Sequence, residues 1–165
     1  MKKIGKYMAL LLVGTMLLTG CGAKDKESSA SIEGSCSEIL EKVYADADLP
    51  DDMREAMQYY QNAEITDAEA QYLLGTTEVK YSDSVYSMPM MSSVAYQCVV
   101  LRVDESQDVE TAKQLLKDNA DPRKWVCVEP ETVLVENVGD VILYVMSEEQ
   151  VATALQNAFT ALGSK

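Results

Sequence analysis

A short segment near residue 125 combines side chains that could bind a ligand. Arg123 and Lys124 are adjacent cations in an acidic chain, and they precede the only tryptophan, Trp125. An indole flanked by cations suits an anionic or sugar-like ligand. The alternative is structural: Trp125 would fill the core where a helix gives way to the sheet, and the cations would stabilise the negative end of that helix. The pattern favours the structural alternative, and the three residues remain a candidate ligand-binding site.

Two further clusters carry atoms that bind metals. The segment 88–91 (Met-Pro-Met-Met) offers thioethers, which prefer a soft ion such as Cu(I). The segment 46–52 is rich in aspartate, and calcium binds several oxygen ligands on a turning backbone. The first cluster lacks histidine partners and the second lacks a DxDxDG loop. We therefore expect the methionines to fill a turn or a sheet edge, the acids to begin a helix, and the protein to use no metal or cofactor.

The chain contains no histidine. This excludes Ser-His-Asp and Cys-His catalysis, and it excludes HExxH zinc chemistry. The cysteines Cys36, Cys98 and Cys127 match no zinc spacing. Free buried thiols and a Cys98–Cys127 disulfide both remain open for these residues. We predict that the protein is not an enzyme; an envelope enzyme that uses carboxylates is the alternative, and no carboxylate pair can be chosen among 27 acidic residues.

The N-terminus has the residue order of an export signal. Lys2, Lys3 and Lys6 precede an apolar run of 12 residues, 7–18, which as a helix would span about 18 Å. A bilayer core is about 30 Å thick, so the run is too short to remain a membrane span. Its length and flanks are typical of a secretory signal peptide.

The end of this signal resembles the lipobox of bacterial lipoproteins. Leu18-Thr19-Gly20-Cys21 places small residues before a cysteine. The resemblance implies that the Cys21 thiol receives a diacylglycerol, that cleavage follows Gly20, and that acyl chains on Cys21 hold the protein at the outer face of the cell membrane. An ordinary secretory signal with a chance cysteine is the alternative, and it would release a soluble protein.

Charge narrows the choice of partners. The chain carries a net charge of −13, and loss of the three N-terminal lysines takes the mature chain to near −16, with 11 basic and 27 acidic residues. A surface this acidic repels the phosphate backbone, so nucleic acid is excluded as a partner. It also repels anionic lipid heads, so covalent lipid rather than charge would hold the protein at the membrane.

The chain divides into a signal peptide (1–20), a lipidated N-terminus with a small, polar, flexible linker (21–35), and a single domain (36–163). For the domain we predict an α+β fold, with N-terminal helices followed by two strand-strand-helix units. These units would form a four-stranded, mainly antiparallel sheet with two helices on one face, and the N-terminal helices would cover the other face. The predicted strands are 78–85, 94–103, 132–138 and 141–146; the predicted helices begin at the capping boxes Ser35-x-x-Glu38 and Thr66-x-x-Glu69, at Pro50, at about Gln107, and at Ser147-x-x-Gln150.

Four segments resemble a family of uncharacterised lipoproteins from Gram-positive anaerobes, known only as a domain of unknown function. They are residues 90–95 (Met-Met-Ser-Ser-Val-Ala), 99–103 (Val-Val-Leu-Arg-Val), 121–128 (Asp-Pro-Arg-Lys-Trp-Val-Cys-Val) and 139–143 (Gly-Asp-Val-Ile-Leu). The resemblance implies an extracytoplasmic location and the extent of the domain. The family supplies no activity, so it adds no catalytic residue.

These observations predict a lipid-anchored binding or protein-interaction module at the cell envelope. The partner would be the membrane through Cys21, together with an envelope protein or a small ligand. A structural or accessory lipoprotein without a ligand site is a further alternative. About 130 folded residues are too few for a solute-binding protein with two lobes.

Overall fold

The computed structural model describes residues 31–91 and 93–164. The predicted signal peptide, with Gly20 and Cys21, lies outside the described residues. The fold is α+β, as predicted, with the elements α1 (Cys36–Asp46), α2 (Asp51–Met57), β1 (Gln61–Ala63), α3 (Asp67–Leu74), β2 (Tyr81–Met88), β3 (Gln97–Val103), α4 (Val109–Asn119), β4 (Thr132–Val138), β5 (Val141–Ser147) and α5 (Glu149–Leu162).

The sheet has five strands in the order β1-β2-β3-β5-β4, and every neighbouring pair is antiparallel. The prediction of four strands is wrong because β1 was missed. Its three residues, Gln-Asn-Ala, carry no alternation of apolar and polar side chains. They become a strand only because the edge of β2 offers them a partner, with Gln61 opposite Met88.

Local capping chemistry sets the starts of the helices. The capping boxes predicted at Ser35 and Thr66 are both present, so α1 and α3 begin as expected. Helix α4 begins two residues later than predicted because the Asp108 side chain caps it through the amide of Thr111.

The predicted cap of the last helix is wrong. Ser147 is the final residue of β5, and its hydroxyl donates to the carbonyl of Glu148. The first amide of α5, that of Glu149, donates instead to the Glu131 carboxylate at 3.0 Å. This cap comes from a residue 18 positions away, which local spacing does not reveal.

Two hydrophobic cores lie on opposite faces of the sheet. One joins α1 and α5 to the sheet side chains of Val100, Leu143 and Val145. The other joins α3 and α4 to Val99 and Ile142. The predicted placement of two helices on one face, with the N-terminal helices on the other, is therefore wrong, since α4 and α5 lie on different faces and each shares its face with an N-terminal helix.

The two ends of the sheet have different surroundings. We call the end at Arg102 and Asp140 the proximal end, because the N-terminal segment of the described chain contacts the domain there. The Arg102 guanidinium donates to the carbonyls of Ile32 and Gly34, both at 2.9 Å, and Ile32 is buried in the first core. Residues 31–35, which belong to the predicted flexible linker, thus contact the domain. The opposite end, where β2 finishes and β3 begins, is the distal end.

Candidate functional site

The predicted site residue Trp125 belongs to the second core. Only 6% of its surface is exposed, and it lies in the segment between α4 and β4, at the distal end. Its indole Nε1 is buried and has no hydrogen-bond partner among the described residues. A buried indole usually finds such a partner. The placement matches the structural alternative for this side chain, as filler of the core where helix gives way to sheet.

Lys124 is held by neighbours on α3 and β3. Its ammonium donates to the side-chain oxygen of Gln97 and, at 3.1 Å, to the backbone carbonyl of Tyr72. It also lies 4.8 Å from the ring centre of Tyr72 and 5.1 Å from that of Trp125, within the range of cation–π attraction. Burial lowers the pKa of Lys124 to about 8, against the opposing attraction of the Asp121 carboxylate. The ammonium therefore stabilises the last turn of α3, whereas we expected the cations at the end of α4.

Arg123 points to a different place. It is exposed and shares a shallow surface hollow with Trp125 and Cys127. Its backbone amide donates to the Asp121 side chain at 3.0 Å in a tight turn. The structure thus brings Lys124 and Trp125 together but leaves Arg123 as the accessible cation of the three predicted site residues.

The three cysteines between residues 31 and 164 are free thiols. Cys36 and Cys98 are fully buried, and burial raises the pKa of each thiol to about 12. Cys127 is exposed and adopts a positive φ of 61°. The described part of the chain thus has no disulfide between Cys98 and Cys127. The other prediction, buried free thiols, holds for two of the three cysteines, and Cys127 is the exception because it is exposed.

The distal end carries the exposed apolar surface of the domain. Seven large apolar side chains are exposed within the described ranges, and each lies in a distal loop, on α3 near Gln97, or on a strand beside the distal end. They are Tyr59, Tyr72, Met90, Met91, Val94, Val126 and Val133. Exposed apolar side chains that gather at one end of an acidic domain are a mark of an interaction site.

A pocket of about 530 Å³ opens at the distal end on the α1–α5 face, and we call it the distal pocket. It lies between α2, the loop before β3, residues 128–130 and the start of α5. On its wall the rings of Tyr60 and Tyr96 lie 5.1 Å apart, and the Tyr96 hydroxyl forms a 2.8 Å hydrogen bond with that of Tyr44. The volume is within the range of ligand pockets, about 300–1,000 Å³.

The methionine segment lines a second, smaller hollow on the other face. Met88, Met90 and Met91 surround about 240 Å³ together with Trp125 and Glu69. Met88 ends strand β2, and Met90 and Met91 lie in the bend that follows it. Among the described residues, no group of three or more histidine, cysteine, aspartate or glutamate side chains could hold a metal ion. Cu(I) binding by the thioethers stays a prediction.

Sequence reasoning missed the distal pocket. The segment 94–96 was assigned to a strand, but the amide of Tyr96 donates to the carbonyl of Val94 in a turn, so β3 begins only at Gln97. This turn exposes Val94 on the pocket. Only Pro130, next to Glu129, could have indicated part of the pocket, because proline marks a loop. No local pattern shows that this loop lies beside α2.

Comparisons with protein-family models, curated proteins and solved structures find no match to this chain. Within the described residues, no helix is long and apolar enough to cross a membrane.

Proposed function

We propose that this chain is a lipid-anchored binding module of the cell envelope, which docks a partner protein on the distal end of its domain. The observation that carries this function is the collection of exposed apolar side chains at that one end. Met90, Met91 and Val126 are each more than 60% exposed, although a folded domain gains stability by burying such side chains. A partner that covers them would recover that stability on binding.

The place where the chain joins the domain supports this orientation. Ser31 and Ile32 contact Asp140 and Arg102 at the proximal end. The seven residues of β5 separate the two ends by about 20 Å, since a strand rises about 3.3 Å per residue. An anchor at Cys21 would leave nine residues, 22–30, before Ser31, and a flexible chain of that length would reach about 15–18 Å on average. The distal end would then face away from the lipid surface.

The anchor is tested by replacing Cys21 with alanine. We expect the wild-type chain to take up labelled fatty acid and to sediment with membranes, and Cys21→Ala to lose the label. A variant that still carried labelled fatty acid would contradict lipidation at Cys21. Lipidation at Cys21 would agree with the location that the resemblance to Gram-positive lipoproteins implies. Membership of that family stays a prediction.

Docking is tested by photocrosslinking in intact membranes. A benzophenone amino acid is placed in turn at the positions of Met90 and Val126, and at that of Glu105, which is exposed near the proximal end. We expect one crosslinked product of the same mass from both distal positions and none from position 105.

The same experiment separates the alternatives. A product that formed equally from position 105 would mean nonspecific collision and would contradict distal docking. The absence of any product would favour an accessory lipoprotein or a carboxylate enzyme over a docking module. Substitution of Val126 by aspartate should abolish a specific product, because a carboxylate in the apolar contact would have to lose its hydration.

A further inference from the structure

We infer that the distal pocket takes a basic segment of the partner polypeptide, with an apolar side chain on its floor and a neighbouring lysine or arginine against its rim. The inference rests on the proposed function and names the chemistry of its partner. It is carried by three features of the pocket: its apolar floor, its acidic rim, and its continuity with the exposed distal surface.

The floor is built from small and apolar side chains. Ala56 and Met53 contribute from α2, Val128 from the segment before β4, and Val151 from α5. The ring pair Tyr60 and Tyr96 closes one side. Such a surface favours binding because it removes an apolar side chain of the partner from water.

The rim carries acids only. Asp52, Glu129 and Glu148 line the pocket, and no lysine or arginine is among the described residues that line it. None of these three carboxylates takes part in an ion pair within the described residues. Arg54 is close in sequence, but its guanidinium donates to the carbonyl of Tyr44 in α1 (3.2 Å) and to that of Ala47 just after it (2.8 Å), and so is already engaged.

The unbalanced charge selects the partner. An acidic segment would meet three exposed carboxylates of like sign, whereas a basic segment would place opposite charges beside them. Charge complementarity of this kind supplies specificity and a fast association rate. The occupant we expect therefore has an apolar residue next to a cationic one.

The surface around the pocket indicates a polypeptide segment as the occupant. Val94 lines the pocket and is itself 41% exposed. From Val94 the same loop leads back to Met91 and Met90, which are exposed and line the smaller hollow on the other face. An occupant that fills the pocket alone would leave those side chains in water, but a segment that continues along the loop would cover both.

The test uses full-length lipoprotein in nanodiscs of neutral phosphatidylcholine. Two acetylated, amidated peptides are compared by calorimetry: Gly-Leu-Lys-Phe-Lys-Gly, and the same peptide with glutamate in place of each lysine. We expect measurable binding of the basic peptide and none of the acidic one.

Two variants of equal net charge locate the binding. The pocket variant carries Asp52→Asn, Glu129→Gln and Glu148→Gln. The control variant carries Glu33→Gln, Glu41→Gln and Glu105→Gln, at exposed positions outside the pocket. We expect the dissociation constant to rise at least tenfold in the pocket variant and less than twofold in the control, with Val94→Asn also weakening binding.

The outcomes separate this inference from the proposed function. If both variants weakened peptide binding equally, the general acidity of the surface would account for binding. The inference that the pocket binds the peptide would then be wrong. Equal binding of both peptides, or binding of neither, would overturn the cationic partner. In each of these cases a specific crosslink from Met90 and Val126 would still support docking at the distal end, and its absence would remove the proposed function as well.

Discussion

Arg102 and Asp140 form an ion pair at the proximal end of the sheet, with 2.9 Å between Nη1 and Oδ1. The same guanidinium donates to the carbonyls of Ile32 and Gly34, and so it joins the N-terminal segment to strands β3 and β5. This side chain, together with the burial of Ile32, therefore helps to fix the end of the domain at which an N-terminal anchor would pull.

Substitution of Arg102 by methionine tests this junction. We expect the free energy of unfolding to fall by about 2 kcal/mol, since hydrogen bonds to a charged group are lost while the apolar stem is kept. The control is Asp140→Asn, where the loss should stay below about 1 kcal/mol because that carboxylate is 41% exposed and screened by water. Denaturant unfolding measures both values, and equal losses would contradict the importance of the backbone contacts.

Lys124 gives the domain a specific pH dependence. Its pKa of about 8 in the folded chain lies below the ordinary value of 10.5, so the unfolded chain binds more protons between these two values. Stability contributed by this group therefore rises with pH, by about 2 kcal/mol between pH 8 and pH 10. Other buried groups act in the opposite direction: burial raises the pKa of the Cys36 and Cys98 thiols to about 12 and raises that of the Tyr44 and Tyr96 phenols, so these groups lower stability as pH rises.

The matched variant is Lys124→Met, which removes the titrating group. Unfolding free energies of wild type and variant are measured across pH 8–10, and we expect the difference, wild type minus variant, to rise by about 2 kcal/mol because all other titrating groups are common to both. Parallel curves for the two proteins would contradict the lowered pKa of Lys124.

Gly75 is required where α3 ends against α4. Its φ is +75°, and a Cβ at this position would lie 1.8 Å from the backbone oxygen of Asn119. Gly75→Ala should therefore lower the unfolding free energy by more than about 2 kcal/mol, through strain and displaced backbone.

Gly34 is the control for this substitution. It also has a positive φ, but a Cβ added there would meet the carboxylate of Glu38. That group is at the far end of a flexible side chain. Gly34→Ala should lower the unfolding free energy less than Gly75→Ala does, and thermal unfolding of the two variants measures the difference. A cost at position 34 equal to that at position 75 would assign the effect to φ alone.

Thiol labelling distinguishes the three cysteines of the domain. At pH 8 a disulfide reagent should label Cys127 quickly, because it is exposed, and leave Cys36 and Cys98 unlabelled, because burial excludes the reagent and raises their pKa to about 12. In denaturant all three should react. The Cys127→Ser variant should show no fast labelling in the native state, and rapid labelling of that variant would contradict the burial of the other two.

Trp125 separates the ligand hypothesis from the structural one. Truncation to alanine should cost about 3–5 kcal/mol of unfolding free energy, the usual loss for a large buried aromatic side chain. Trp125→Phe should fold and keep any binding at the distal pocket, which Trp125 does not line. If Trp125→Phe and Arg123→Gln each removed binding of an anionic or sugar-like ligand, the predicted site at residues 123–125 would be supported.

Local patterns anticipated much of the domain. The capping boxes at Ser35 and Thr66 use side chains three residues apart, so spacing is sufficient to find them. Strands β3 and β5 are apolar on both faces, which indicated that helices cover the sheet on both sides. The arrangement of those helices was not predicted correctly, because an apolar stripe on a helix does not say which face of the sheet it will cover.

The candidate site was the less predictable part. Residues 123–125 were conspicuous by type, yet their neighbours Tyr72 and Gln97 lie 52 and 27 positions from Lys124. The distal pocket combines α2, the turn at Val94 and the start of α5. None of these segments carries a motif, and the pocket exists only because the sheet brings their ends together.

The sequence by itself determined the charge, the absence of histidine, the candidate lipid attachment at Cys21 and the α+β class, since these depend on residue types and on short spacings. Only the tertiary structure decided that β1 joins the sheet, that α4 and α5 lie on opposite faces, and that the N-terminal segment and the exposed apolar side chains lie at opposite ends. The physical reason is that these features depend on contacts between residues far apart in the chain, such as those of Arg102 with Ile32, whose energies no local pattern records.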